Sequence, residues 1–260
     1  MTRVFITTVA AVAALTLTAA GSLSANTANN TPENDEIKLA AATGTKELPP
    51  YEPKIEPSKF SANITNPYFP LMPGMVFVYE GMRDGLPRRV EVTVTNETKT
   101  IMGVPCIVTR DVVTSKTELV EKTTDWYAQD SDGNVWYFGE DTAEYENGKV
   151  TNTHGTWMAG VNGALPGIIM PAIPKVGEGY RQEFLPGTAE DYARVISNVA
   201  TARVPAGDFE DVLITEDTDL LDRNKFENKS FAKGIGYLGS QGVVNGHFEV
   251  VRLVSMLKPN

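Results

Sequence analysis

From Asn66 onward, short runs rich in valine, isoleucine, threonine and aromatic residues alternate with tight-turn signals, and this pattern constrains the fold most. In RRVEVTVTNETKT, the residues Val90, Val92 and Val94 lie on one face of a strand. The turn dipeptides are Asp84-Gly85, Asp132-Gly133, Asn147-Gly148, Ala206-Gly207 and Asn245-Gly246. Runs of this length joined by glycine turns are typical of antiparallel sheets. Because no longer window has a capped helical period, we predict an all-β domain with little helix apart from the N-terminal segment.

The β-rich part of the chain also resembles itself at a nearly constant spacing, which predicts a duplication. The spacing is 103 between Gly74 and Gly177, 104 between Val108 and Val212 and between Tyr127 and Phe231, and 100 between Tyr137 and Tyr237. A copy of ~70 residues buries too little surface to fold alone, so both copies should share one core. We predict two pseudo-repeated antiparallel meanders, 70–139 and 173–239, that form one curved sheet or open barrel and are joined by an excursion, 140–172. The alternative is that β-proteins with glycine turns resemble one another without duplication.

The N-terminal residues have the layout of a secretory signal peptide, with one cation, Arg3, then an apolar run and then small residues. No cysteine follows the apolar run, so attachment through a lipoprotein-type cysteine is excluded. Residues 26–59 are polar, contain prolines and lack a sustained period, which predicts a flexible linker. We therefore predict a signal peptide, 1–25, a linker, 26–59, and a single β domain, 60–260, in a periplasmic or secreted protein.

The charge and the cysteine content exclude some partners and cross-links. The net charge is −10 at pH 7, and removal of residues 1–25 removes only the cation Arg3, which makes the remaining chain more acidic. Such a field repels nucleic acid and anionic lipid head groups, so we predict no nucleic-acid partner and no stable membrane insertion after signal cleavage. Cys106 is the single cysteine, so no intramolecular disulfide can form. Its apolar neighbours predict a buried, unreactive thiol.

Two strands of the first copy carry aromatic residues on both faces, because aromatics are adjacent in Trp126-Tyr127 and in Trp136-Tyr137-Phe138. A strand with one solvated face alternates polar and apolar residues, so both faces of these strands should be covered. One face belongs to the core, and the 140–172 excursion or a ligand covers the other. Core packing without a ligand is the alternative. The candidate ligand-lining residues are Trp126, Trp136, Tyr137 and Trp157.

The acidic hairpin around Asp132 supports a second hypothesis, a divalent-cation site. Counted from Asp130, glycine falls at the fourth position and not at the sixth position of an EF-hand loop, so the stretch favours a hairpin turn. Hard oxygen ligands from one loop can nevertheless hold a calcium-like ion without that spacing. The candidate metal ligands are Asp130, Asp132, Glu140 and Asp141.

An enzyme is the third hypothesis, and the sequence favours a non-catalytic protein over it. The chain has no G-x-S-x-G motif and no cysteine–histidine arrangement, and its two histidines, His154 and His247, lie in different segments. Glu144 and Glu146 share one face of a strand, and a hydrolytic carboxylate pair would need one of them to be buried. We predict no catalytic residue and no cofactor.

The segments NPYFPLMPGMVFVYEG, DWYAQDSDGNVWYFGEDTAEY and PGIIMPAIPKVGEGYRQEF resemble a family of uncharacterised secreted bacterial proteins over about Phe60 to Gly239. The resemblance implies no catalytic residue, because that family has no settled activity. More loosely, VPAGDFEDV followed by FAKGIG is similar to periplasmic half-barrel proteins related to the lipoprotein-carrier fold, which implies a curved sheet around an apolar ligand. The sequence therefore favours an exported, non-catalytic protein that binds a small apolar or amphipathic molecule in a β-walled cavity.

Overall fold

Strands dominate the computed structural model, which describes residues 50–222, 224–244 and 246–259. The predicted signal peptide and most of the predicted linker lie outside these residues. Within them, the helical content is one short 3-10 turn, Pro57–Lys59, and no helix is long and apolar enough to cross a membrane. The prediction of an all-β domain with little helix is confirmed.

The described residues form sixteen strands that alternate with short turns. They are β1 (Phe60–Ser61), β2 (Val76–Arg83), β3 (Leu86–Ile101), β4 (Val104–Ser115), β5 (Glu118–Asp130), β6 (Val135–Glu146), β7 (Lys149–Asn152), β8 (Trp157–Met158), β9 (Leu165–Met170), β10 (Gly179–Arg181), β11 (Glu183–Phe184), β12 (Asp191–Val204), β13 (Gly207–Asp219), β14 (Phe226–Ala232), β15 (Gly236–Val244) and β16 (His247–Leu257).

The strands form one antiparallel sheet that curves into a barrel with a single seam. Its order is β10-β12-β13-β14-β15-β16-β2-β3-β4-β5-β6-β9-β11. Two hairpin meanders, β2–β6 and β12–β16, meet where β16 pairs with β2. The strands at the ends of this order, β10 and β11, are separated in the chain by Gln182 alone. One stretch of chain therefore pairs with β12 through its first half and with β9 through its second half, and it bridges the seam.

Equivalent irregularities occur in both meanders and confirm the predicted pseudo-repeat. A β-bulge interrupts the β5–β6 pairing beside Gly139, and another interrupts β14–β15 beside Gly239. Both glycines have positive φ, 132° and 142°, a conformation that side chains disfavour. The backbone N–H groups of Gly74 and Gly177 each donate to a valine carbonyl, of β3 and β12 respectively, at 2.8 Å. Matching bulges and matching hydrogen bonds at these spacings are the structural counterpart of the sequence duplication.

One detail of the sequence alignment is corrected by the strand registers. The alignment placed Val108 opposite Val212. In the structure, Val108 pairs with Trp126 and Ile214 pairs with Ser230, immediately before the equivalent bulges, so Val108 corresponds to Ile214. The second meander has extra residues at the turn end of the β12–β13 hairpin, and an alignment without gaps cannot place them. The displacement is two residues, so each side chain stays on the predicted face of its strand.

The last ten residues of the predicted flexible linker differ from that prediction, because they pack on the barrel. The hydroxyl of Tyr51 donates to the carbonyl of Pro166 at 2.8 Å, and its ring lies 5.4 Å from the ring of Phe184. Ile55 packs against buried residues of the sheet. An aromatic and a branched apolar side chain gain free energy by leaving water, which fixes this short segment on the surface.

Two clusters of buried apolar side chains stabilise the barrel. The larger cluster includes Phe77, Leu213 and Leu253 and therefore joins both meanders. The smaller cluster lies on the first meander, where residues 157–164 and the segment around Ile55 pack onto it. Cys106 is buried in the smaller cluster, as predicted, and burial raises the pKa of its thiol to about 12. The reactive thiolate is therefore disfavoured at neutral pH.

Candidate functional site

A cavity of about 430 Å³ lies inside the barrel, and it is within the range of roughly 300–1,000 Å³ that small-molecule pockets occupy. A second cavity of about 190 Å³ adjoins it. Residues common to both walls include Tyr79, Asp111, Glu227 and Tyr237. The two cavities therefore share part of their walls, to which both meanders contribute.

One part of the cavity wall is apolar. It includes Phe69, Pro70, Leu71, Phe77, Ile169 and Phe231. The first three belong to the segment that precedes β2, and the others lie at inward-facing positions of strands. Phe69 packs edge-on against Tyr127, with 5.3 Å between the ring centroids. Aromatic and aliphatic side chains of this kind offer an apolar ligand a surface that excludes water.

The other part of the wall is polar, and half of its residues are acidic. Its members are Thr109, Asp111, Glu121, Gln182, Glu227 and Lys229. Successive side chains of a strand point to opposite faces, so Thr109 and Asp111 on β4 both point inward. Tyr79 and Tyr237 lie between the polar and apolar parts, with 5.2 Å between their ring centroids. The cavity is amphipathic.

Lys229 is the one cation on the wall of the larger cavity among the described residues, and it already has anionic partners. Its Nζ lies 2.9 Å from Asp217 Oδ2 and 3.6 Å from Glu227 Oε2. Burial lowers the pKa of Lys229, but the attraction of these two carboxylates outweighs burial and raises the pKa well above its usual value. Lys229 is therefore charged, and its charge is compensated within the protein.

Asp111 has no such compensation. Its Oδ1 is buried and has no hydrogen-bond partner in the described part of the chain. Burial, together with the charges of Asp125 and Glu121, raises the pKa of Asp111 well above its usual value. A buried polar atom without a partner costs about 1–3 kcal/mol. Such an atom on a cavity wall is available to a ligand.

A buried hydrogen-bond network lies next to the cavity on β4, β5 and β6. The hydroxyl of Tyr137 donates to Asp125 Oδ1 at 2.6 Å and lies 3.1 Å from Glu140 Oε2. The hydroxyl of Thr109 donates to Asp125 Oδ2 at 3.2 Å. Burial raises the pKa of Asp125 to about 6, although the bonds from Tyr137 and Thr109 oppose this rise. Burial and the neighbouring Asp125 raise the pKa of Glu140 to about 8, so Glu140 is mostly protonated at neutral pH.

This network differs between the two pseudo-repeats. By strand register, the equivalent of Asp125 is Lys229, and the equivalent of Glu140 is Ser240. Neither Asp125 nor Glu140 lies on the wall of either cavity. The pair is therefore poorly placed to act on a molecule in the cavity as a general acid and base.

The structure places none of the four candidate ligand-lining aromatics on the wall of the larger cavity. Trp126 lies on the opposite face of β5 from Asp125 and Tyr127, and Lys99 Nζ is 3.5 Å from its ring centroid. The indole N–H of Trp136 donates to Asp130 Oδ2 at 2.7 Å.

The other two candidates pack against each other, Trp157 edge-on to Tyr137 at 5.4 Å between centroids. Trp157 is only 3% exposed. Tyr137 lies on the same face of the sheet as Asp125, and Trp157 covers it there. On the outer face, Phe60 packs against Trp136 and Phe138, so protein side chains occupy the place that a ligand would have taken.

The four candidate metal ligands are not brought together. Asp130 accepts hydrogen bonds within its own turn, from the N–H groups of Asp132 and Asn134 and from Trp136. Glu140 and Asp141 are adjacent on β6 and so point to opposite faces of the sheet. No group of three or more histidine, cysteine, aspartate or glutamate side chains in the described ranges is arranged to hold a metal ion.

Sequence reasoning missed the carboxylates that do line the cavity, Asp111, Glu121 and Glu227. A signal was present, because Asp111 alternates with Thr109 and Val113 on the inward face of the strand segment VTRDVV, and Glu227 and Lys229 alternate in FENKSF. Charged residues that share one face of a strand with valines predict a polar interior only if the sheet closes on itself. The sequence alone could not decide between a barrel and an open sheet with one solvent-exposed face.

The fold and the site define an antiparallel β-barrel with an amphipathic internal cavity. No protein-family model matches the chain, and no curated protein matches it. A solved structure described as a "putative lipoprotein" from Parabacteroides distasonis ATCC 8503 is similar to 73% of this chain and 98% of its own chain, with 11% identical residues and a TM-score of 0.38. At that identity and TM-score, the similarity supports no functional inference. The resemblance to secreted bacterial proteins therefore stays a prediction.

Proposed function

We propose that this protein is an exported, non-catalytic binding protein that holds one small amphipathic molecule inside the barrel. The observation that carries the proposal is the cavity of the barrel, whose wall combines apolar side chains with several polar ones. Small-molecule sites commonly combine an apolar lining with a few polar groups that orient the ligand.

The location of the cavity supports binding over scaffolding. The cavity is partly open to solvent, so a small molecule can enter it, and its apolar wall is in contact with water while no ligand is bound. A bound molecule would recover contacts with Phe77, Phe231 and Leu71 and would cover the polar wall. Export remains the prediction made from the N-terminal sequence, and it would place the binding site in a periplasmic or extracellular space.

A cavity-filling variant tests the proposal. Val92 lies on the walls of both cavities, so Val92→Phe places a ring in the space that the ligand would occupy. Val78 is on β2, on the opposite face from the cavity-lining residues Phe77 and Tyr79, so Val78→Phe is the matched control. We expect native mass spectrometry of the protein from its own compartment to show a bound organic mass in the wild type and in Val78→Phe, and to show none in Val92→Phe.

The same variants serve in a second assay with the fluorescent probe N-phenylnaphthylamine. The wild type and Val78→Phe should enhance the fluorescence of the probe, and Val92→Phe should not. Binding that is equal in the two variants would show that the cavity is not the site. The absence of both a bound mass and probe binding in the wild type would overturn the proposal.

A further inference from the structure

The charges around the cavity are unbalanced. The walls of the two cavities carry four carboxylates, Asp111, Glu121, Glu227 and Glu249. Lys229 is paired with Asp217 and Glu227, and Arg83 lies 3.8 Å from Glu249. These two cations are therefore engaged, and Asp111 and Glu121 form no salt bridge within the described residues. Burial raises the pKa of Glu121, and the charges of Arg88 and Arg83 oppose this rise. The ionised forms of Asp111 and Glu121 would make this part of the cavity attractive to a cation.

Asp111 is at the centre of this acidic wall. It is opposite Val92 on β3 and opposite Thr123 on β5, and it lines both cavities. Its Oδ1 is buried and accepts no hydrogen bond from the described residues. A buried carboxylate is costly without a paired cation or several donors, and burial accordingly raises the pKa of Asp111, which favours its protonated form in the empty cavity. A cation bound beside Asp111 would favour the ionised form and supply the partner that the protein does not provide.

Aromatic rings next to Asp111 add a second feature that attracts positive charge. Tyr79 and Tyr237 accompany Asp111 on the walls of both cavities. The hydroxyl of Tyr79 donates to the backbone carbonyl of Tyr237, which holds that ring in place. The faces of tyrosine rings carry negative electrostatic potential and attract cations. A carboxylate and aromatic rings on the wall of one cavity are a common combination for holding an ammonium group.

We infer that the polar end of the ligand is a cation, a protonated amine, which binds Asp111 with support from Glu121, while its apolar end packs on Phe69, Leu71 and Phe231. This inference rests on the proposed function and names its ligand class. An anionic amphiphile, such as a fatty acid, would add a further negative charge beside Asp111, Glu121 and Glu227. A neutral amphiphile would bring no charge that favours the ionised form of Asp111.

A matched series of eight-carbon probes tests the charge of the ligand. Octylamine, octanol and octanoate share one apolar chain and differ at the polar end. Titration calorimetry of the wild-type protein should give a dissociation constant for octylamine at least about tenfold lower than for octanol, and no measurable binding of octanoate. Asp111→Asn should weaken octylamine binding by about tenfold or more and change octanol binding less than about twofold, because the substitution removes charge and preserves shape.

Three controls make the result decisive. Glu91→Gln removes a carboxylate from the outside of β3 and should leave all three affinities unchanged, whereas a general effect of the acidic surface would lower octylamine binding here too. Octylamine binding that survives Val92→Phe would be surface binding and would overturn the inference. If Asp111→Asn fails to fold, Glu121→Gln takes its place, with the same expected loss for octylamine.

The outcomes separate this inference from the proposed function. Equal affinities for octylamine and octanol, both abolished by Val92→Phe, would overturn the cationic ligand and leave the binding cavity established. Preferential binding of octanoate would overturn the inference, because it would show that the cavity selects an anion. No binding of any of the three probes, together with no bound organic mass, would overturn both.

Discussion

At the scale of the residue, the barrel interior is unusual because it buries several ionisable side chains with raised pKa values. Glu183 and Asp111 are raised well above their usual values, mainly by burial, and Glu140 is raised to about 8. A carboxylic acid with a raised pKa in the folded state binds its proton more tightly there than in the unfolded chain. Folding is therefore favoured at acidic pH, and the contribution is lost as the pH rises through the folded-state pKa.

Glu140 gives a direct test of this dependence. Its pKa is about 8 in the folded protein against a usual value of 4.5, so its contribution to stability is fully present below about pH 4.5 and is lost by about pH 8. We expect Glu140→Gln to remove a decline in the free energy of unfolding on the order of 4 kcal/mol between about pH 5 and pH 8.5. Urea unfolding at several pH values measures it.

The matched control for this prediction is Glu144→Gln, which changes an exposed carboxylate on the same strand. It should keep the wild-type dependence on pH, including the part that comes from Asp125 and Asp111. If Glu140→Gln also keeps the wild-type dependence, the proton on Glu140 does not contribute to stability.

At the scale of the element, the two bulges set the shape of each meander. Gly139 and Gly239 both have positive φ, and both lie against a neighbouring strand. A Cβ at Gly139 would lie 2.3 Å from the carbonyl oxygen of Trp157, and one at Gly239 would lie 2.2 Å from that of Val251. These glycines are needed both for their conformation and for the close approach of the next strand.

Substitution of a bulge glycine should therefore cost more than substitution of a turn glycine. We expect Gly239→Ala to lower the free energy of unfolding by about 3 kcal/mol or more, because strain and a backbone clash add. Gly85 also has positive φ, 77°, but has no atom within 4 Å of an added Cβ, so Gly85→Ala should cost only about 1 kcal/mol. Equal losses in urea unfolding would show that close strand packing is not the reason for glycine at the bulge.

At the scale of the whole molecule, the two pseudo-repeats form one sheet and share one apolar core. The β16–β2 pairing joins them on one side, and the stretch around Gln182 joins them at the seam. Because neither meander closes without the other, the barrel should unfold in one cooperative step.

The distribution of tryptophans makes this cooperativity measurable. All three, Trp126, Trp136 and Trp157, precede the second meander, so tryptophan fluorescence reports on the first half, whereas far-ultraviolet circular dichroism reports on both halves. We expect the two urea transitions to coincide in midpoint and slope. Separate midpoints would mean that the repeats unfold independently.

Local sequence patterns were sufficient for the strands and the duplication. Alternation and glycine turns act between neighbours in the chain, so runs such as RRVEVTVTNETKT predict strands without knowledge of the tertiary fold. The bulge glycines were visible as aligned residues of the two copies. The burial of Cys106 followed in the same way from its apolar neighbours.

Only the tertiary structure decided what occupies each face of the sheet. The aromatic run from Trp126 to Phe138 required cover on both faces, but the sequence could not tell a ligand from the segment 157–164, which lies nearby only in the folded chain. Asp111 and Glu227 likewise face a common interior only because the sheet curves into a barrel whose seam is bridged near Gln182. Strand formation is a local property of the sequence, whereas the contents of a barrel depend on contacts between residues that are more than a hundred positions apart.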